Sequence, residues 1–394
     1  MRSLILITIY IIINLYTASQ LSYWLRRCSR RYDSVASLRV LYMLFYALLA
    51  SLPMFGTYLP DSSFKYHMAA AGNLWLGFYM YFTGLLVILQ LIRLICRRFI
   101  SSENAERRSR IILALVIVFT LCLNAYGCVN AQNVTTTRYD IAVNKNAGSV
   151  KTLKIALVAD FHLGVNSNAG MYRSMVKKIN KMDPDLIVVD GDIFNSTYSA
   201  LQDPGKYSAI LSKLRARYGV YAVYGNHDVD ESLFGGFAVT SLSRSFRNPR
   251  VTAFMKSCGF TILDDETLTV AGGSIVLAGR RDGEKAGDGT ARRKSASQLL
   301  KGVNKAKPVI VIEHEPLDFK ALGRAGADVA LSGHTHDGQI FPGNLIIRLF
   351  NQNSYGIKRI SGVISLVTSG VGYYGPPVRI GTHSEIAEIN ISFK

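Results

Sequence analysis

The first third of the chain consists of long unbroken apolar runs, and the remainder of short ones. Four stretches lack any charged residue and are long enough to cross a bilayer, which takes about 20 residues. They are Ser3–Leu25, Val40–Pro60, Met68–Ile92 and Ile111–Thr137, the last strongly apolar only to Tyr126. Past residue 152 the apolar runs shorten to strand length and alternate with amphipathic segments. Lys154–Ala159, Asp185–Val189, Val220–Tyr224, Val309–Ile312 and Val329–Leu331 read as strands, and Thr267–Ala278 as a hairpin about Gly272–Gly273. Val363–Val367 and Ile386–Ile391 read as further strands, and Ala169–Met182 and Gly205–Arg217 as helices. This pattern predicts a transmembrane region of about four helices over 1–130, a polar linker over 131–152 and a folded domain over 153–394. The domain belongs to the α/β class, with a layered core and mixed sheets.

Charge gives the apolar runs an orientation. The net charge of +18 divides evenly, +9 within residues 1–130 and +9 beyond. Arg26, Arg27, Arg30, Arg31 and Arg39 fill the first connection, and Arg93, Arg97, Arg98, Arg107, Arg108 and Arg110 the third. The second holds only Lys65 against Asp61. The positive-inside rule then places connections one and three in the cytoplasm. The expectation is a multi-pass integral membrane protein whose N-terminus and C-terminal domain are extracytoplasmic. A cleaved signal peptide fits the first run less well, because a basic cluster follows it directly and no small-residue cleavage site does. No ionisable residue falls inside the four runs, so they read as an anchor, or a wall presenting a lipid, rather than a conduction path.

In the domain, a positive balance favours anionic ligands or anionic headgroups. No helix-turn-helix, zinc-finger or RNP pattern occurs, so no nucleic-acid partner is expected. Five cysteines without a CxxC pair indicate neither a disulfide framework nor a zinc ribbon.

The residues that carry chemistry stand just past the ends of the predicted strands. The first strand ends in Asp160-Phe-His162, the second in Gly191-Asp192 and the third in Gly225-Asn226-His227-Asp228. Two later ones end in Glu313-His314 and in Gly333-His334-Thr335-His336. Open α/β sheets collect ligands at the carboxyl ends of their strands, so these five ends can converge on one site. Carboxylate, amide oxygen and imidazole suit hard to borderline divalent metals. Residues two apart in extended chain face the same side, so each DxH or HxH pair is expected to chelate together. Any one of these motifs is weak. Of the seven histidines in the chain, however, five (162, 227, 314, 334 and 336) lie at these strand ends, which marks the set as a metal site.

In this order the blocks resemble the signature of the calcineurin-like metallophosphoesterase superfamily, over about residues 153–394. Ser332-Gly-His-Thr-His-Asp-Gly-Gln339, Ser369-Gly-Val-Gly372 and Gly375-Pro-Pro377 are similar to one branch of it. That branch contains bacterial membrane-associated phosphodiesterases and lipid-precursor pyrophosphatases acting on UDP-diacylglucosamine. The resemblance implies two mixed β-sheets flanked by helices and two divalent metal ions bridged by Asp192. Asp160, His162 and His336 would complete one ion, and Asn226, His314 and His334 the other. Manganese is the expected metal, with iron and zinc compatible. The resemblance further implies that His227 faces the leaving group and that Asp228 orients it. Two departures stand out: Asn195 where a second acid often follows GD, and Asp337 where Gly is frequent. Every ligand position is filled, which argues against a non-catalytic scaffold.

The implied activity is hydrolysis of a phosphodiester or diphosphate bond without a covalent phospho-enzyme. Tethering and basic charge direct the expectation to an anionic phosphorylated lipid or lipid-linked precursor, with the bilayer itself as a partner. Soluble nucleotides or small phosphodiesters are the alternative.

Overall fold

A computed structural model describes residues 2–96, 105–195, 197–231, 233–234, 237–238, 245–290 and 292–394, so Arg97 and Arg98 lie outside the described residues. The chain divides into two compact units: Met1–Cys128 with Leu233–Thr240 and Gly375–Pro377, and Val129–Ser232 with Ser241–Tyr374 and Val378–Lys394.

The first unit is helical. It contains α1 (Arg2–Cys28), the short α2 (Arg30–Ser34), α3 (Ala36–Tyr58), α4 (Ser63–Cys96) and most of α5 (Ala105–Gln132). Four helices are long and apolar enough to span a membrane, over Ile5–Cys28, Ala36–Gly56, Ser63–Cys96 and Glu106–Gln132. Small residues let α3 and α4 pack closely, as lipid-embedded helices need in the absence of a hydrophobic drive between them. A Cβ on Gly72 would stand 2.8 Å from Pro53 N, and one on Gly56 2.7 Å from the Ala69 Cβ. Some polar groups pair inside: Thr17 and Thr83 share a hydroxyl hydrogen bond of 3.0 Å, and the Tyr46 hydroxyl donates to Asn14 Oδ1 at 3.0 Å.

The second unit is the predicted α/β domain. In chain order it contains β1 (Val134–Val143), β2 (Thr152–Ala159), α6 (Ala169–Met182), β3 (Leu186–Asp190), α7 (Pro204–Leu211) and β4 (Val220–Val223). The hairpin β5–β6 (Leu233–Phe234 and Phe237–Ala238) clusters with the first unit. Then come α8 (Pro249–Ser257), β7 (Thr261–Ile262), β8 (Glu266–Val270), β9 (Ile275–Gly279), α9 (Ala296–Leu299), β10 (Val309–Ile312), α10 (Phe319–Ala325) and β11 (Val329–Ser332). The chain closes with α11 (Gly343–Phe350), β12 (Gly356–Ile360), β13 (Val363–Val367) and β14 (Ser384–Phe393).

Two six-stranded mixed sheets result, ordered β1-β14-β2-β3-β4-β7 and β12-β13-β11-β10-β9-β8. Strand alternation separates the layers. Leu153, Ile155 and Leu157 of β2 face Ile310, Ile312, Leu331 and Leu366 of the other sheet in a common core. Ala156 and Val158 face the helix side, among Met175 and Ile179 of α6 and Phe254 of α8. The outer face of the second sheet is covered by α9 and α10 through Leu299, Phe319 and Leu322.

One boundary differs from expectation. Most of the first half of the linker expected over 131–152 is strand β1, paired in parallel with β14 along its whole length from Val134–Ser384 to Val143–Phe393. It is an edge strand, buried only at Val134, Ile141 and Val143, and Thr, Arg and Asp on its open face gave it the look of a linker.

Candidate metal centre

The carboxyl ends of β2, β3, β4, β10 and β11 do converge, and they do so through strained turns. Asp160, His162, Asp192, His334 and His336 all have positive φ, between 47° and 70°. Such backbone costs of order 1–3 kcal/mol per residue and persists only where the surroundings enforce it. The same angles correct one expectation: the DxH and HxH pairs are not extended chain, and left-handed turns rather than β alternation aim their side chains. Two glycines allow the close approach. A Cβ on Gly225 would fall 2.2 Å from Asp192 Oδ1, and one on Gly333 2.7 Å from Asp160 Oδ2.

Asp160, His162 and His336 bring one donor atom each within 4.8 Å of one another, and so do Asp160, Asp192 and His314. His162 Nε2 and His336 Nε2 face each other at 2.9 Å, and His336 Nε2 lies 3.3 Å from Asp160 Oδ1. Asp192 Oδ2 stands between the two groups, 3.1 Å from His314 Nε2 and 3.7 Å from His162 Nε2. Beside them His334 Nδ1 and Asn226 Oδ1 are 3.0 Å apart. All seven expected ligands therefore lie in one cluster.

The donor set fits divalent cations. Burial, reinforced by neighbouring imidazoles, lowers His334 to about 4, and burial takes His162 well below its usual value. Neutral imidazole is the form that ligates metal. Two imidazole nitrogens 2.9 Å apart and the buried carboxylates of Asp160 and Asp192 crowd one space, an arrangement that a cation at their centre would relieve.

Outer contacts set the ring orientations, as is usual around metal ligands. The Asp190 carbonyl accepts from His314 Nδ1 at 2.8 Å, leaving Nε2 to face the centre. Arg379, fully buried, places Nη2 3.3 Å from His336 Nδ1 and donates to the carbonyls of Ser369, Gly370 and Gly372. Burial lowers its pKa to about 10, so it keeps its charge at neutral pH.

His227 stands at the edge of the cluster. Its backbone N–H donates to Asp192 Oδ1 at 2.7 Å, and its ring stacks on Tyr374 with centroids 4.4 Å apart. The carboxylate on Nδ1 belongs to Glu231, at 3.1 Å, and Glu231 in turn takes Lys285 Nζ at 2.5 Å. Burial pulls the pKa of His227 down, but Asp192 and Glu231 outweigh it and leave it raised. Asp228, expected to orient His227, instead accepts from the backbone N–H groups of Phe194 and Gly225, at 3.0 and 2.9 Å. It ties together the loops after β3 and β4. The reason is directional: Asp228 is turned away from the ring next to it in sequence, while Glu231 comes back to it after a turn. Glu231, Lys285 and Arg379 are not singled out by the sequence. An acid four residues past His227 was a usable signal, whereas Lys285 and Arg379 had none.

Residues 153–338 match the family model described as calcineurin-like phosphoesterase. The chain is 30% identical over 301 residues to a Bos taurus protein named "Transmembrane protein with metallophosphoesterase domain", a match covering 74% of this chain and 65% of that protein. It is 28% identical over 248 residues to an "Uncharacterized metallophosphoesterase" of Helicobacter pylori, covering 61% and 60%. It is also 24% identical over 238 residues to "UDP-2,3-diacylglucosamine pyrophosphatase LpxG" of Chlamydia trachomatis, covering 52% of this chain and 69% of that protein. The chain thus spans just under two thirds of the bovine relative's length.

Proposed function

With a calcineurin-like phosphoesterase domain over residues 153–338 as the premise, we propose that this integral membrane protein hydrolyses a phosphodiester or diphosphate bond with two divalent metal ions. The observation that carries the reading is the convergence of seven donor residues from both sheets. Asp160, His162 and His336 would hold one ion, Asn226, His314 and His334 the other, with Asp192 between them. Ions so held supply Lewis-acid polarisation of the phosphoryl oxygens and an acidified water.

The chain's own residues do the rest. Glu231 accepts a hydrogen bond from Nδ1–H of His227, so that Nε2–H can give its proton to the leaving oxygen as a general acid. Asp192 fixes the backbone of His227 while its other oxygen faces the imidazoles of the centre. Tyr374 stacks against the His227 ring and limits its rotation.

For substrate we favour a phosphorylated lipid or lipid-linked precursor. Four membrane-spanning helices and the named activity of the chlamydial relative support that class. The test is hydrolysis of bis-p-nitrophenyl phosphate and of a panel of phospholipids and nucleotide-linked lipids in detergent, with each metal and after chelation. Activity that survives complete chelation sinks the metal-dependent reading. Turnover confined to soluble nucleotides would replace the lipid with the alternative substrate.

A further inference from the structure

Most of the catalytic unit hides its apolar side chains, and one segment does not. Among the described residues beyond 130, eight large apolar side chains are exposed, and six of them fall between Phe341 and Ile357: Phe341, Leu345, Ile346, Leu349, Phe350 and Ile357. Leu349 and Phe350 are each 79% exposed. They sit on or beside α11, a strongly amphipathic helix that buries none of its residues. A helix with an apolar stripe normally covers a core. Among the described residues, this stripe joins no core.

The charges around it indicate what does cover it. Residues 341–360 contain Arg348, Lys358 and Arg359 and no Asp or Glu, and all three cations are exposed. An apolar stripe rimmed by cations suits the boundary between acyl chains and anionic headgroups. The chain is held at such a boundary by its four spanning helices. The segment also adjoins the metal centre. The N-terminus of α11 closes on the turn after His336, where Gly343 N donates to Ile340 O at 2.6 Å. Arg348 Nη2 lies 3.7 Å from Asp337 Oδ1, on the residue next to His336.

We propose that α11, with Phe341 and Ile357, lies in the interfacial layer of the bilayer and admits the lipid substrate, whose acyl chains rest on the apolar stripe while its phosphate reaches the centre. This rests on the phosphoesterase reading but concerns a different surface, so the two can fail separately.

The experiment uses the full chain with Leu349→Trp, in nanodiscs of phosphatidylcholine and phosphatidylglycerol. Emission is compared with the parent, whose Trp24 and Trp75 lie in α1 and α4. The added emission is expected to be quenched by brominated acyl chains and shielded from iodide. Quenching by iodide with no effect of brominated lipid overturns the proposal, because the stripe then faces water. Shielding from both also overturns it, because protein then covers the stripe. Hydrolysis of bis-p-nitrophenyl phosphate by the same sample reports on the centre alone. Leu349→Glu with Phe350→Glu should keep that soluble activity. In a Leu349→Trp/Phe350→Glu chain, most of the bromolipid quenching should be lost.

Discussion

His227 is held on three sides: its backbone by Asp192, its Nδ1 by Glu231 and its ring face by Tyr374. None of the three holds it as a ligand would be held, so removing the ring should leave the metal in place. His227→Ala is expected to retain both ions by metal analysis and lose about 10²–10⁴-fold in turnover, the usual worth of a general acid. Asp192→Asn should instead lose metal and activity together, since this carboxylate faces both donor groups. Glu231 acts through His227. Glu231→Gln should cost about 10–100-fold, as loss of an orienting partner commonly does, with the larger loss on alkyl esters and the smaller on p-nitrophenyl esters. A protonated leaving group matters less when the phenolate leaves unaided. Equal losses on both substrates would assign Glu231 a purely structural part.

Among the elements, the loop between β13 and β14 depends on one side chain. Arg379 donates to carbonyls of Ser369, Gly370, Gly372, His336 and His383. Each buried carbonyl left without a donor costs about 1–3 kcal/mol. Arg379→Met, close in size but without donors, should therefore destabilise the domain by about 3 kcal/mol or more, read as a lowered denaturation midpoint. Because Arg379 also holds His336 Nδ1, the folded fraction of this variant should bind metal more weakly by calorimetric titration. Elements of this kind were only partly legible. β2, β3, β10 and β13 stand close to where their apolar runs put them, because both faces of each are buried. β1 did not look like a strand, because one face of it meets solvent.

For the molecule as a whole, four helices are long and apolar enough to span a membrane, and the flanking cations carry an expectation for the side on which the domain lies. Arg26, Arg27, Arg30, Arg31 and Arg39 precede α3 or begin it, and Arg93, Arg107, Arg108 and Arg110 border the third connection. We expect the domain outside the cytoplasm. Protease added to intact cells or spheroplasts should digest it, and full protection would reverse the orientation. An extracytoplasmic site would meet lipid-borne phosphates more readily than nucleotide-linked intermediates made in the cytoplasm. The same protease result therefore bears on substrate.

The apolar runs and the candidate donor set are legible in the sequence alone, for a shared reason: both are local. Span length and apolarity are properties of one segment, and each ligand sits within a few residues of its own strand. The partners of those ligands are not local. Arg379 and His336 are 43 residues apart, and β1 meets β14 across about 250 residues. Only tertiary structure decided that Glu231 rather than Asp228 holds His227, and that α11 buries none of its residues. Those outcomes depend on which surfaces meet when the sheets pack, and no single segment records that.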